Sequence, residues 1–505
     1  MNRILTILTI SVFCCITHCH AQKKDFTPSY KYRITLKDKK GSNYSLRHPE
    51  QFLSQKSIER RKRQHLKLDK TDLPVSPVYL QQIAATGLHI CSTSKWNNTV
   101  LVETTDTTLA QSLLRKSFVT ALRRVATYTK PAERDTTDRI ALISEDPAVT
   151  KSKISNIFED FFCAKHPEGN TGEVDSIAIA TAYIQEFIGM NDDEGKTEET
   201  TYDTDSVYGH GFTQIDLLHG QHLHQQGFRG QGMTIAIIDG GFYNADIIPM
   251  LQTAKILGTR DFAESGTDIY AEESHGMMVL SCMAANTPGC FVGTAPEASF
   301  WLLRSEDGYS EQMVEEDNWA AAIEFADSIG ADLVNTSLGY SKYDNADDNV
   351  RYHEMDGHQR LCSHSASLMA RKGMVLCNSA GNEASKPWKL ISIPADADDV
   401  LTVGAVNAEG INTNFSSLGN TADGRIKPDV MAMGQDCTVL SRRGKLTTAN
   451  GTSFASPILC GMVACYWQAH PQLTALQVME AVRRMGNNVE HPDNVFGYGI
   501  PDFSK

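Results

Sequence analysis

Beyond its first 21 residues the chain contains no hydrophobic run close to the ~20 residues that a membrane-spanning helix requires. We therefore expect no membrane span once that segment is removed. The cysteines show no Cys-x-x-Cys spacing and no cluster with histidine, which argues against a zinc site. Basic residues are too few for a nucleic-acid-binding protein, because 47 Lys and Arg face 61 Asp and Glu and the net charge is −14.

The 505 residues are enough for about three structural units of ~150 residues each. Apolar residues make up 41% and charged residues 21%, which is typical of a globular protein. The charge is unevenly distributed: residues 22–130 contain 21 basic and 8 acidic residues, a balance of +13. Residues 131–505 contain 25 basic and 53 acidic residues, a balance of −28. A basic N-terminal part is therefore followed by an acidic remainder.

The first residues have the pattern of a secretory signal peptide. Residues 1–3 carry a positive charge, residues 4–17 are apolar, and Cys19-His20-Ala21 offers a cleavage site before Gln22. The sequence therefore predicts a signal peptide over 1–21 and a secreted or periplasmic protein. A membrane anchor is the weaker interpretation because the apolar stretch is too short. Nine of the twelve cysteines remain after its removal, an odd number that cannot all pair within one chain.

Residues 22–129 have the pattern of a small α+β unit. Apolar residues alternate over 30–36, residues 100–102 and 119–125 are further β-rich runs, and 109–114 has helical character. Residues 60–63 read Arg-Arg-Lys-Arg, which we interpret as a solvated helix face; a processing site is the alternative.

Residues 130–206 end in an acidic, polar stretch over 191–199 that contains few apolar side chains to pack into a core. This composition predicts an exposed, mobile linker or insertion, where proteolytic cuts concentrate.

Residues 207–505 alternate short apolar runs with helical segments. The runs at 233–238, 331–335, 373–377 and 400–406 are typical of strands buried on both faces, and 314–329 has helical periodicity. The alternation predicts an α/β fold, with a parallel sheet covered by helices on both faces. Functional groups in such a fold collect at the carboxyl ends of the strands.

Four positions at strand ends or helix starts carry reactive or polar side chains. Asp239 ends an apolar run before two glycines, although Asp-Gly alone is most often a turn. His275 lies in the first turn of an apolar helix that Ser274 is able to cap, and the helix dipole there disfavours a charged imidazole. A histidine at position 275 therefore has no evident role in stabilising the helix.

Ser453 lies at the start of another apolar helix, where backbone N–H groups favour developing negative charge; a plain N-cap serine is the alternative. Gly451 leaves room for another backbone to approach. Asn382 follows a buried strand and small residues, so its amide is a candidate oxyanion donor, although Asn after Gly is commonly a turn. The chain order Asp, His, Ser is one of the known orders among triad hydrolases.

Residues 207–503 resemble the catalytic domain of the subtilases, the subtilisin-like serine peptidases. The resemblance rests on GTSFASP at 451–457, VNTSLG at 334–339 and SAGN at 379–382, together with the Asp-Gly and His-Gly blocks. It implies a subtilisin-like parallel sheet and a serine endopeptidase. Ser453 would be the nucleophile, His275 the general base and acid, and Asp239 the residue that orients the imidazole. Asn382 and the Ser453 N–H would form the oxyanion hole.

The resemblance also implies how substrate would bind. Ser337, Leu338 and Gly339 would pair with the substrate backbone, and Ser379, Ala380 and Gly381 would line a side-chain pocket. No cofactor is required for this chemistry and no catalytic metal is expected. Many subtilases bind structural calcium, but no loop here has ligands that we would name.

Secreted subtilases are commonly made with an N-terminal propeptide that assists folding and inhibits the active site. Residues 22–129 fit that role, and their positive charge would favour docking on the acidic remainder. The resemblance thus implies polypeptide substrates, the chain's own propeptide as intramolecular inhibitor, and a monomer. The acidic region from Asp192 to Asp205 would then be cut on maturation; a permanent linker is the alternative.

Two departures from the family pattern leave alternatives open. Gly240 stands where many relatives have Thr or Ser, and Met277-Met278 follow His275-Gly276 instead of a threonine-containing turn. They support the main alternative, a catalytically weak or inactive peptide-binding protein with the same fold. An esterase or acyl transferase that uses the same triad is a further alternative.

Overall fold

A computed structural model describes residues 27–129 and 207–505. The predicted signal peptide and the predicted linker lie outside the described residues. The two described parts correspond to the basic and the acidic portions of the sequence, and each has its own hydrophobic core.

The N-terminal unit is a four-stranded antiparallel sheet with the strand order β2-β3-β1-β4 and three helices. Its core contains Ile34, Ile83, Val100 and Leu113, all without exposed surface. This architecture confirms the predicted small α+β unit. The elements are β1 (Ser29–Leu36), α1 (Gln55–Arg63), α2 (Pro77–Ala84), β2 (His89–Ser94), β3 (Thr99–Thr104), α3 (Thr107–Ser112) and β4 (Val119–Tyr128).

The C-terminal unit is built on a seven-stranded parallel sheet with the order β13-β12-β11-β10-β5-β9-β6, which confirms the predicted parallel sheet. The apolar runs form β5, β10, β11 and β12, and every residue of these strands is buried because helices cover both faces. The strands are β5 (Thr234–Asp239), β6 (Lys255–Asp261), β9 (Ser299–Arg304), β10 (Leu333–Thr336), β11 (Val375–Ser379), β12 (Leu401–Val406) and β13 (Val430–Met433).

Alternate residues of β5 show how the two helical layers are arranged. Ile235 and Ile237 belong to a core with the buried faces of helices α6, α9 and α10, whereas Ala236 and Ile238 belong to a second core with α7 and α8. The helices are α4 (Phe212–Asp216), α5 (Gln221–Gln225), α6 (His275–Ala284), α7 (Val314–Ile329), α8 (Leu361–Leu368), α9 (Thr452–Ala469) and α10 (Ala475–Arg484). Two small antiparallel hairpins complete the unit: β7 (Asn286–Thr287) with β8 (Phe291–Val292), and β14 (Cys437–Leu440) with β15 (Leu446–Ala449).

The two units meet where α1 lies against α7. Arg60 and Arg61 of α1 are 2% and 3% exposed, and both form ion pairs with Asp327, at 2.5 and 2.9 Å. Lys95 adds a third pair with Asp327 at 3.1 Å. The expectation of a solvated helix face was therefore wrong for Arg60 and Arg61. The helix is present, but these two arginines are buried because the Asp327 carboxylate of α7 compensates their charge, whereas the Arg63 side chain is 44% exposed.

Glu324, one helical turn before Asp327, makes a second set of contacts with the N-terminal unit. Its carboxylate accepts hydrogen bonds from the Lys95 and Trp96 amides, at 2.6 and 2.9 Å, and from the Ser94 hydroxyl at 2.5 Å. Arg33 of β1 also pairs with Asp317 of α7 at 2.6 Å. The basic unit thus docks on α7 through paired charges, in keeping with the charge asymmetry of the sequence.

The eight cysteines in the described ranges are all free thiols, and seven of them are buried. Cys163 belongs to the predicted linker and lies outside those ranges. Across residues 27–129 and 207–505, no helix combines the length and the apolar character needed to cross a membrane.

Candidate active site

Asp239 is the last residue of β5, so its carboxylate lies at the carboxyl end of a strand flanked by β10 and β9. The residue has no exposed surface. Its Oδ1 accepts hydrogen bonds from the Gly240 N–H at 2.9 Å and from His275 Nδ1 at 2.8 Å. Its Oδ2 has no hydrogen-bond partner among the described residues. The site therefore holds one carboxylate oxygen in a fixed position for the imidazole.

His275 begins α6, as the sequence predicts, and 34% of its side chain is exposed. The expected cap is absent, since the Ser274 side chain makes no hydrogen bond to this helix start. Burial disfavours the imidazolium, but the charge and hydrogen bond of Asp239 and the charge of Glu273 outweigh it and raise the pKa of His275. Because Nδ1 bonds to Asp239, Nε2 is the nitrogen left to exchange a proton elsewhere.

Ser453 is the second residue of α9 and is partly buried. Gly451, which precedes the helix, has φ +154°, and its amide donates to the Gly434 carbonyl at 2.7 Å. The atoms nearest to the position of a β-carbon on Gly451 are Asn382 Nδ2, Ser453 N and Phe454 Cδ2, at 3.5–3.8 Å, so the glycine is favoured here by its positive φ and not by the close approach of another backbone. The Ser453 hydroxyl donates to the Ser337 carbonyl at 3.3 Å, and the Ser337 hydroxyl donates to the Ser453 carbonyl at 2.7 Å.

The structure brings Asp239 and His275 into direct contact and places Ser453 next to them. The ring of Phe454, the residue after Ser453, lies 5.9 Å from the His275 ring between centroids. The hydrogen bonds of the described residues include none between Ser453 and His275, because the hydroxyl faces the Ser337 carbonyl. A hydrogen bond to the imidazole would require the hydroxyl to leave the Ser337 carbonyl.

Asn382 lies beside the start of α9. Its Oδ1 accepts hydrogen bonds from the Thr452 N–H at 2.9 Å and from the Thr452 hydroxyl at 3.0 Å. The amide oxygen is thus engaged, and Nδ2 lies 3.5 Å from the position of a β-carbon on Gly451. The side chain is held with its donor group next to the segment that carries Ser453.

The two predicted substrate-binding segments lie on either side of Ser453. Ser337–Gly339 follow β10, and Ser337 exchanges hydrogen bonds with Ser453. Ser379 ends β11, and the Gly381 amide donates to the Thr452 hydroxyl at 3.1 Å. Between them, the Ala380 N–H donates to the Val403 carbonyl and the Ala380 carbonyl accepts from the Ser392 N–H. Leu338 has its carbonyl 3.4 Å from Asn378 Nδ2. The structure therefore brings all ten predicted site residues to one end of the sheet.

Two neighbours of the site were not found from the sequence. Glu273 precedes His275 by two residues, and Glu306 follows the end of β9. Glu306 is 8% exposed and accepts hydrogen bonds from the Ser305 and Tyr340 hydroxyls, both at 2.7 Å. The position of Glu273 beside the His275 block was the sequence feature that could have identified it as a neighbour of the site. A carboxylate at such a position is also common on protein surfaces, so this feature alone was not enough. Glu306 gave no pattern in sequence.

No three His, Cys, Asp or Glu side chains within residues 27–129 and 207–505 are grouped closely enough to hold a metal ion.

Comparisons with known proteins match both described units. Residues 230–499 match the profile of the subtilase family, and residues 31–144 match that of the peptidase S8 propeptide domain of Bacteroidota. Subtilisin NAT of Bacillus subtilis subsp. natto is 29% identical over 289 residues, which cover 56% of this chain and 68% of that protein. Serine protease AprX of Bacillus subtilis (strain 168) is 28% identical over 321 residues, which cover 57% of this chain and 69% of that protein.

Among solved structures, MycP1 from Mycobacterium smegmatis aligns with a TM-score of 0.47 at 22% identity, over 61% of this chain and 86% of that chain.

Proposed function

The chain belongs to the subtilase family of serine peptidases, and on this premise we propose that Ser453, His275 and Asp239 hydrolyse peptide bonds through an acyl-enzyme. The observation that carries the proposal is the 2.8 Å hydrogen bond between Asp239 and His275 Nδ1. It fixes the imidazole with Nε2 free to act as a base, a short distance from the helix start that carries Ser453.

In the proposed reaction the Ser453 hydroxyl attacks the carbonyl carbon of the scissile bond, and its proton passes to His275 Nε2. Asp239 stabilises the imidazolium that forms. The imidazolium then protonates the leaving amine, and the acyl group remains on Ser453. Water deprotonated by His275 releases the acyl group and regenerates the serine.

Asn382 and the Ser453 backbone N–H are the proposed donors to the tetrahedral oxyanion. The Asn382 side chain is oriented in advance, because its oxygen accepts two hydrogen bonds from Thr452. A donor that is already held in place costs no reorganisation when charge develops. Backbone pairing along Ser337–Gly339 and a pocket walled by Ser379–Gly381 are the proposed contacts to substrate.

The N-terminal unit is a propeptide domain, and we propose that it inhibits the active site until the chain is cut in 130–206. Its buried contacts with α7 support this role, because they hold it on the unit that contains Ser453. Export by the signal peptide over 1–21 and a monomeric mature enzyme are parts of the same proposal. Structural calcium stays unassigned.

The experiment is labelling with a fluorophosphonate combined with intact-mass measurement of the exported protein. We expect the wild type to be modified at Ser453 and to lose its N-terminal region. The Ser453→Ala variant is expected to remain unlabelled and to keep that region. Ser456→Ala, three residues along the same helix, is the matched control and is expected to be labelled.

Each outcome separates the alternatives. Wild-type protein that binds peptides but takes up no label at Ser453 would indicate the inactive peptide-binding protein. Labelling with hydrolysis of esters but not of peptides would indicate the esterase. Identical masses for the wild type and Ser453→Ala would count against self-processing.

A further inference from the structure

Five carboxylates lie on the two segments that flank the Asp239–His275 pair, and we call them the carboxylate cluster: Glu273, Glu306, Asp307, Glu311 and Glu315. Four of them come from the connection after β9 and the first turn of α7. Glu273 comes from the opposite side, just before α6.

Glu273 links the cluster to the proposed catalytic residues. A β-carbon placed on Gly240 would lie 2.5 Å from Glu273 Oε2, and one on Gly308 would collide with Glu273 Oε1. The Glu273 side chain therefore lies between the residue that follows Asp239 and the loop that carries Asp307. It occupies the space that a larger residue at position 240 would need.

Glu315 is the most buried member and faces the others. It is 1% exposed, and its Oε1 accepts a hydrogen bond from the Asp307 N–H at 3.2 Å. Its Oε2 is buried and has no hydrogen-bond partner among the described residues. A buried carboxylate oxygen without a donor is costly, and a donor that reached Glu315 Oε2 would remove this cost.

The cluster is not neutralised within the described part of the chain, where no Lys or Arg forms an ion pair with any of its five members. The charge of Arg304 acts on Glu273 and Asp307, but its ion pairs are with Asp261 at 2.8 Å and with Glu272 at 3.3 Å. The interface with the propeptide domain differs, since Asp327 there has three cationic partners.

The pKa shifts reflect burial and the repulsion among these carboxylates. Burial and the charges of neighbouring carboxylates raise the pKa of Glu306 to about 8 and that of Glu311 to about 7. Burial and the charges of Glu306 and Glu311 also raise the pKa of Glu315. A cation placed among these groups would relieve their mutual repulsion.

We propose that the carboxylate cluster is a specificity subsite that receives a lysine or arginine side chain of the substrate. The proposal rests on the proposed peptidase function. A metal ion is disfavoured as the occupant, because no three of the described carboxylates converge closely enough to hold one. The Tyr309 ring, which is 50% exposed on the same loop, offers apolar surface for the stem of a long cationic side chain.

The propeptide indicates which side of the scissile bond the subsite serves. At the end of β4 the Thr127 N–H donates to Gln312 Oε1 at 2.8 Å. Burial and the charges of Asp307 and Glu315 raise the pKa of Tyr128. A groove of ≈ 850 Å³ lies between this strand end and the 307–313 loop, and Asp307 is the member of the cluster that lines it. Because residues 127–129 precede any cut in 130–206, a subsite beside them would face residues on the N-terminal side of the bond.

The test uses quenched fluorescent peptides that carry lysine, norleucine or glutamate at each of the four positions before the cut. With the exported wild-type enzyme, we expect kcat/KM to be about tenfold or more higher for lysine at one of these positions. Glu273→Gln and Glu311→Gln are each expected to lower that lysine-to-norleucine ratio several-fold. Glu311→Lys is expected to shift the preference toward a glutamate peptide. Glu409→Gln, an exposed glutamate after β12, is the matched control and should keep the wild-type ratio.

Equal rates for lysine and norleucine at all four positions would overturn the subsite while leaving the peptidase function intact. A lysine preference that survives both Gln variants would also overturn it. Loss of the preference on adding millimolar calcium chloride would identify a metal ion as the occupant instead. If no peptide is hydrolysed at all, the proposed function fails and the subsite fails with it.

Discussion

At the scale of single residues, the site differs from the family pattern next to Asp239. Gly240 carries no side chain that could donate to the buried Asp239 Oδ2, and that oxygen has no hydrogen-bond partner in the described ranges. Glu273 occupies the adjacent space instead. The imidazole of His275 is therefore influenced by two carboxylates rather than one, and both of them raise its pKa.

This arrangement predicts how Glu273→Gln changes the pH dependence. His275 must be neutral to act as a base, so kcat/KM falls as the pH drops through its pKa. Removing the Glu273 charge removes one of the interactions that raise this pKa, and the acid limb should move to lower pH. The measurement is kcat/KM against pH for a norleucine peptide, with Glu409→Gln as control. If the acid limb of the pH profile stays in place or moves to higher pH, Glu273 does not raise the pKa of His275.

At the scale of elements, α7 is the contact surface for the propeptide domain. Burial disfavours the Asp327 carboxylate, but Lys95, Arg61 and Arg60 outweigh it and lower its pKa. A carboxylate with a lowered pKa in the folded state stabilises the protein above its ordinary pKa of about 4, and this stability is lost only below that value. Mild acidification should therefore not open this contact through Asp327.

Replacing Asp327 with Asn is expected to weaken the docking of the propeptide domain by about 3–5 kcal/mol, because Arg60 would be buried without a counter-charge. The measurement is the thermal unfolding of Ser453→Ala with and without Asp327→Asn. The matched control is Asp348→Asn, which removes a pair with Arg123 whose side chain is 51% exposed. That control should cost less than about 1 kcal/mol. Equal effects of the two substitutions would argue against a buried ionic contact.

The elements themselves were largely predictable. The apolar runs of β5, β10, β11 and β12 fall within two residues of the observed strands, because strands buried on both faces leave a continuous apolar signal. The burial of Arg60 was not predictable. Its partner Asp327 is remote in sequence, and a run of basic residues looks the same whether water or a carboxylate faces it.

At the scale of the whole molecule, the proposed site residues come from distant stretches of chain and meet because strand ends collect at one edge of the sheet. Their identity was predictable from motifs, and their mutual geometry required the fold. The carboxylate cluster was not predictable, since it joins a loop before α6 with a loop before α7 and has no periodic pattern.

The division into two docked units predicts the outcome of limited trypsin digestion of the Ser453→Ala protein. The seven Lys and Arg residues within 130–206 are expected to be cut first, and the two described units should stay together on size-exclusion chromatography. Mass spectrometry of the fragments locates the cuts. First cuts inside 27–129 or 207–505, or fragments that elute apart, would contradict this organisation.

The exchange of hydrogen bonds between Ser337 and Ser453 ties the proposed nucleophile to the segment that is proposed to hold the substrate backbone. A peptide that paired with the Ser337 carbonyl would compete with the Ser453 hydroxyl for the same acceptor and release it. Occupancy of the cleft and reactivity of the serine would then be coupled.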